Sequence, residues 1–77
     1  MTVKIYTTPI CIYCKAAKQF LNEHGIQYQE INVMEDRNAL NEMVARSGQL
    51  GVPVIEIDNN IVVGFNKPKL MELLNIK

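Results

Sequence analysis

Cys11 and Cys14 are the two cysteines of this 77-residue chain, and they stand three positions apart in the run Cys11-Ile12-Tyr13-Cys14. Thiols at this spacing, where a strand gives way to a helix, can close a small disulfide, and in that context the pair reads as a redox motif. A structural disulfide acts by closing a long loop of the unfolded chain. This pair would close almost nothing, so its value is chemical.

Position supplies the asymmetry that the chemistry needs. With a helix beginning near Ile12, Cys11 falls at its N-cap, where unpaired N–H groups and the positive end of the helix dipole favour an anion. Thiols so placed have pKa values of about 3.5–7.5, against about 8.5 for a free cysteine. Lys15 adds a cation one turn away. At about 100° per residue, Cys14 shares an arc with Ala16, Ala17, Phe20 and Leu21 and faces the core. Cys11 is thus expected to attack and Cys14 to resolve. His24 lies about three turns from Cys11, roughly 15–20 Å along the helix, and suits the helix C-terminus better than a catalytic base.

The surrounding segments form a short series of alternating elements. Residues 2–7 alternate Val3, Ile5 and Thr7 against Thr2, Lys4 and Tyr6, a strand that Pro9 ends. The helix after Cys11 runs to about His24, with Gly25 placed to terminate it. Residues 26–33 read as a second strand with Ile31 and Val33 inward, parallel to the first across a right-handed crossover. A second helix from Asp36 to Arg46 carries Leu40, Met43 and Val44 and stops at Ser47-Gly48. Met34, Met43 and Met71 are expected to fill the core rather than bind metal. Residues 52–57 and 61–65 form a hairpin around Asp58-Asn59-Asn60, where asparagine tolerates positive φ. Pro53 opens the first of these strands, a position where its missing donor does no harm. Asn66 caps a last helix over residues 67–76, with Pro68 in its first turn and Leu70, Leu73 and Leu74 on its buried face. The layout is βαβαββα, an α/β sandwich with a parallel pair and an antiparallel hairpin.

At 77 residues the chain is expected to be a single domain, residues 1–77, that buries only about 60% of the surface its unfolded form exposes. Its 48% hydrophobic content is that of an ordinary globular protein, so disorder is set aside. Formal net charge is zero, which argues against nucleic-acid or membrane-surface binding by bulk electrostatics. No apolar run approaches the roughly 18–20 residues of a membrane span, and the first residues lack a signal-peptide pattern. The expectation is a cytoplasmic monomer, in a compartment where a dithiol stays reduced and a disulfide is transient.

Thr8-Pro9, Cys11-Ile12-Tyr13-Cys14-Lys15, Gly51-Val52-Pro53-Val54 and Gly64-Phe65 before the final helix together resemble the glutaredoxin family, across the whole chain. The resemblance implies a thioredoxin-like four-stranded mixed sheet in the order 2-1-3-4 with three helices. It also implies a cis peptide before Pro53, facing the cysteines, with Val52 main-chain groups pairing with a bound peptide or glutathione. Three positions depart from the family pattern. Ile12 replaces a common proline, Thr8 replaces a Lys or Arg that meets a glutathione carboxylate, and Val63-Gly64-Phe65-Asn66 replaces Gly-Gly-x-Asp. Each lost charge removes a hydrogen bond of about 1.5–3 kcal/mol, so glutathione is expected only as a weakly bound reductant.

The activity expected is that of a dithiol–disulfide oxidoreductase. Cys11 attacks a substrate disulfide, Cys14 releases the product, and the Cys11–Cys14 disulfide is reduced by an outside partner. That partner is glutathione or a thioredoxin-reductase-like flavoprotein, the missing charges favouring the flavoprotein. Val52 and Pro53 hold the substrate in line, while Thr8, Pro9, Tyr13, Gly64 and Phe65 rim the site and Lys15 favours the thiolate. No tightly bound cofactor is expected. Two rival classes are an iron–sulfur carrier, which would need a dimer and added thiols, and a docking module without redox turnover.

Overall fold

A computed structural model describes residues 1–76, in the order β1 (Val3–Thr7), α1 (Ile12–Glu23), β2 (Gln29–Asn32), α2 (Arg37–Ser47), β3 (Val54–Ile57), β4 (Asn60–Val63) and α3 (Lys67–Leu73). The strands form one sheet in the order β2-β1-β3-β4. β1 pairs parallel with β2 and antiparallel with β3, Ile5 standing opposite both Glu30 and Ile55, and β3 pairs antiparallel with β4. The expected fold is therefore present.

Helices cover both faces of this sheet. Val3, Ile5, Ile55, Ile57 and Val62 pack against Ala17, Phe20 and Leu21 of α1 and Leu70 of α3. Tyr6 and Val54 point the other way and meet Ala39 and Met43 of α2. A central strand covered on both sides loses the polar-out alternation of a half-exposed one, which is why Tyr6 is buried. Glu56, also on the α2 face, is buried too. Arg46 meets its Oε1 as an ion contact rather than an aligned hydrogen bond, and the Lys4 ammonium lies 4.0 Å from its Oε2. Such pairing is what a buried carboxylate requires.

The element ends differ from expectation for local reasons. β2 begins at Gln29 rather than Ile26. Gly25 takes φ 66 and the Ile26 N–H donates to Leu21 O at 2.9 Å, so these residues close α1. β3 begins at Val54, not Val52, after a cis Val52–Pro53 bond. In the hairpin it is Asp58, not an asparagine, that takes positive φ, at 54°. Its carboxylate accepts from the Thr2 N–H at 2.9 Å and its own N–H donates to Thr2 O at 2.8 Å, which fixes that choice. α3 stops at Leu73 because Asn75 adopts φ 58 and the Ile76 N–H returns to Met71 O at 2.9 Å. Met43 is fully buried and Met71 packs against the core, but Met34 is 65% exposed and fills no core space. Among the described residues no helix is long and apolar enough to cross a membrane.

Candidate active site

The turn after β1 places Cys11 at the start of α1. Its N–H reaches back to Thr8 O at 3.4 Å, and its extended backbone, φ −95 and ψ 112, is that of an N-cap. The sulfur caps the helix itself, accepting the Cys14 N–H at 3.1 Å. On its other side the Cys11 thiol points its S–H at the Val52 carbonyl, 3.8 Å away. Cys11 is partly open to solvent, whereas Cys14 is 1% exposed. Burial, with a further contribution from the hydrogen bond to the Cys11 side chain, pushes the Cys14 thiol up to about 12. A hydrogen bond from the Thr8 main chain and the charge of Lys18 act against that rise. Two thiols three residues apart thus occupy opposite environments.

The second wall of the site is the segment before β3. Pro53 is buried, and its carbonyl accepts the Gly64 N–H at 2.8 Å, tying the cis-proline loop to the end of β4. Gly64 has φ 78, a region that side chains rarely adopt. Thr8, Cys14 and Val52 are thereby gathered around Cys11, each within hydrogen-bond reach of it. Pro9 and Tyr13 stand exposed on the turn and first helical residues beside them. Phe65 packs edge-on against Phe20, ring centres 5.9 Å apart, as part of the core's margin. Lys15 lines a separate groove between α1 and β2, together with Lys18, Tyr28 and Glu30. His24 caps α1 at its far end, its ring 4.6 Å from that of Phe20.

Two features were not apparent from the residue order. Lys18, one turn beyond Cys14, donates to Glu30 Oε2 at 2.8 Å, and the Thr7 hydroxyl donates to the same oxygen at 3.0 Å. The bond between them raises the Lys18 ammonium and lowers the Glu30 carboxyl from their ordinary values. Lys18 could be placed beside Cys14 by helical spacing, but Glu30 reaches it only across the strand pairing. The second feature is a groove next to Val52, lined by Thr8, Val33, Met34, Leu40 and Leu50. The residue order gives no signal of it, since Met34 reads there as core filler and only the structure leaves it and Leu50 exposed.

The glutaredoxin family model matches residues 3–62. A glutaredoxin-like 8.6 kDa protein in the rubredoxin operon of Clostridium pasteurianum is 46% identical over 72 residues, 94% of this chain and 96% of that protein. A crystal structure of the thioredoxin-like protein BC3987, mutant T8A, superimposes with a TM-score of 0.93 at 33% identity, covering 99% of this chain and 97% of that one. The glutaredoxin-like protein NrdH-redoxin from Escherichia coli, described for its thioredoxin-like activity profile, gives a TM-score of 0.82 at 28% identity over 96% of this chain and 95% of its own. Sequence match over most of the chain and superposition over nearly all of it agree: the chain belongs to the glutaredoxin family, small thioredoxin-fold thiol–disulfide oxidoreductases.

Proposed function

We propose that Cys11 is the attacking thiol and Cys14 the resolving thiol of a single-domain cytoplasmic redoxin that reduces protein disulfides. The observation that carries this reading is the contrast between the two sulfurs. Cys11 is accessible and accepts the Cys14 N–H at 3.1 Å, whereas Cys14 is buried and held protonated. The Cys11 thiolate attacks one sulfur of the substrate disulfide, that bond breaks, and the departing thiolate takes up a proton. Cys14 then gives up its proton as its sulfur attacks the Cys11 sulfur, and the second substrate thiol leaves. The substrate gains two electrons and the Cys11–Cys14 pair loses two. Val52, Thr8 and Tyr13 frame the approach, and the 2.8 Å bond from the Gly64 N–H to Pro53 O fixes the loop that carries Val52.

The reductant that restores the dithiol is a flavoprotein disulfide reductase, with glutathione as a weak alternative. Thr8 brings no charge to meet a glutathione carboxylate, and Asn66, in place of the family's aspartate, spends its side-chain oxygen on the Lys69 N–H at 3.3 Å. The thioredoxin-like activity profile stated for the Escherichia coli relative supports the same choice. Substitution separates the roles. Cys11→Ser should abolish disulfide reduction, and Cys14→Ser should accumulate a mixed disulfide on Cys11, seen by intact mass and peptide mapping. An adduct that maps to Cys14 in the Cys11→Ser protein would invert the assignment and refute this reading.

A further inference from the structure

A groove of about 520 Å³ opens beside Val52, between the turn that enters α2 and the loop that leaves it. Val33 is buried at its floor, Leu40 and Val52 are half-buried, and Met34 and Leu50 stand 65% and 70% exposed on its two sides. Single exposed apolar residues are ordinary, whereas several that converge on one concavity mark a recognition surface.

Both walls are held in place. Met34 lies in a turn where its N–H donates to Asn32 Oδ1 at 2.9 Å and the Glu35 N–H donates to Asn32 O at 3.2 Å. Leu50 lies in a loop stapled by the Gln49 side chain, which accepts the Gly51 N–H and donates to Gly51 O at 3.0 Å. The Ser47 hydroxyl joins that loop to α2 through Met43 O and Gln49 O, at 2.6 and 3.0 Å. Walls fixed before a ligand arrives lose little freedom on binding it. Glu35 and Arg37 also line the groove, and their opposite charges sum to zero, leaving the apolar side chains as its common feature.

The groove continues the reaction site, because Val52 belongs to both: its carbonyl lies 3.8 Å from Cys11 Sγ. An extended chain advances about 3.3 Å per residue. A substrate cysteine in line with Cys11 therefore brings the side chain one or two residues away over Val52 and into this concavity. We infer that the groove is a specificity subsite that selects protein disulfides carrying a leucine-like apolar side chain one or two residues from the attacked cysteine. This rests on Cys11 being the nucleophile.

The test is single-turnover reduction of peptides whose cysteine is capped with thionitrobenzoate, which is released coloured when Cys11 attacks. Three peptides carry leucine, serine or glutamate at the first two positions on each side of the cysteine, and capped free cysteine serves as the unflanked control. The leucine peptide should react about tenfold faster than the serine peptide, the gain from burying roughly half a leucine side chain. That ratio should fall towards one in a Met34→Ser/Leu50→Ser protein, and partway in Leu50→Ser alone should the double variant not fold. Because each ratio is taken within one protein, a fractional loss of folded material cancels. Equal rates in the parent protein, a glutamate preference lost in Arg37→Ser, or a leucine preference that survives the groove substitutions would overturn the inference. Failure to release thionitrobenzoate even from capped cysteine would instead refute the underlying assignment of Cys11.

Discussion

Treating the reduced protein with iodoacetamide while raising the pH from about 7 to about 9 should modify Cys11 and leave Cys14 intact, because the thiolate is the reacting species. Burial first, and the hydrogen bond and charge of Cys11 second, carry the Cys14 thiol some three units above its ordinary value, to about 12. Below both values, three units correspond to a factor of about a thousand in thiolate, so Cys14 should react roughly a thousandfold more slowly than the same residue in the unfolded chain. Its 1% exposure slows it further. Tandem mass spectrometry of the tryptic peptide Ile5–Lys15, which contains both cysteines, locates the adduct. Burial is the larger cause and the bond to Cys11 the smaller, so Cys14 should remain slow in Cys11→Ser. The same shift links to stability. The unfolded thiol ionises first, so the stabilisation from a neutral Cys14 is complete below its ordinary value and is lost as pH rises towards about 12. Labelling of Cys14 within tenfold of the denatured-state rate at pH about 8 would refute the argument that burial holds it protonated.

Other consequences concern the scaffold. Asp36 caps α2 by accepting the Ala39 N–H at 3.0 Å, so Asp36→Ala should cost about 1 kcal/mol. In thermal unfolding monitored by circular dichroism, that is a fall of about 4–8 °C for a domain of this size. Glu30→Gln breaks the partly exposed ion pair with Lys18 and should cost about 0.2–1 kcal/mol near neutral pH. The native carboxyl is lowered, so this contribution is present above the unfolded carboxyl's ordinary value and fades as pH falls through the lower folded one. Urea titrations at neutral and strongly acidic pH should therefore show the gap between parent and variant closing.

Much of the architecture was legible because its signals are local. Cys11 as an N-cap, Cys14 on the arc of Ala17 and Phe20, Gly48 after α2 and Asn66 before α3 all follow from spacing of about 3.6 residues per turn and from side-chain capping chemistry. The sheet order came with the family resemblance, since strand neighbours separated by fifty residues leave no local mark. What the residue order concealed depends on such distant pairings. Asp58 takes the left-handed position because Thr2 binds it on two sides, and nothing near Asp58 in the chain announces that partner. Met34 looked like core filler because composition cannot say that its turn faces outward, held there by Asn32. The same blindness hid the groove beside Val52, whose two exposed walls come from segments sixteen residues apart.

The position of β1, first in the chain yet inside the sheet between β2 and β3, has a consequence for synthesis. A nascent polypeptide that has emerged only through α2 holds β1 with one edge vacant, and the edge is filled only when the β3–β4 hairpin follows it out of the ribosome. Pairings this far apart in sequence close late and expose unpaired backbone in the meantime. The Val52 carbonyl that faces the Cys11 sulfur arrives with that hairpin, so both thiols are made long before the wall that organises them.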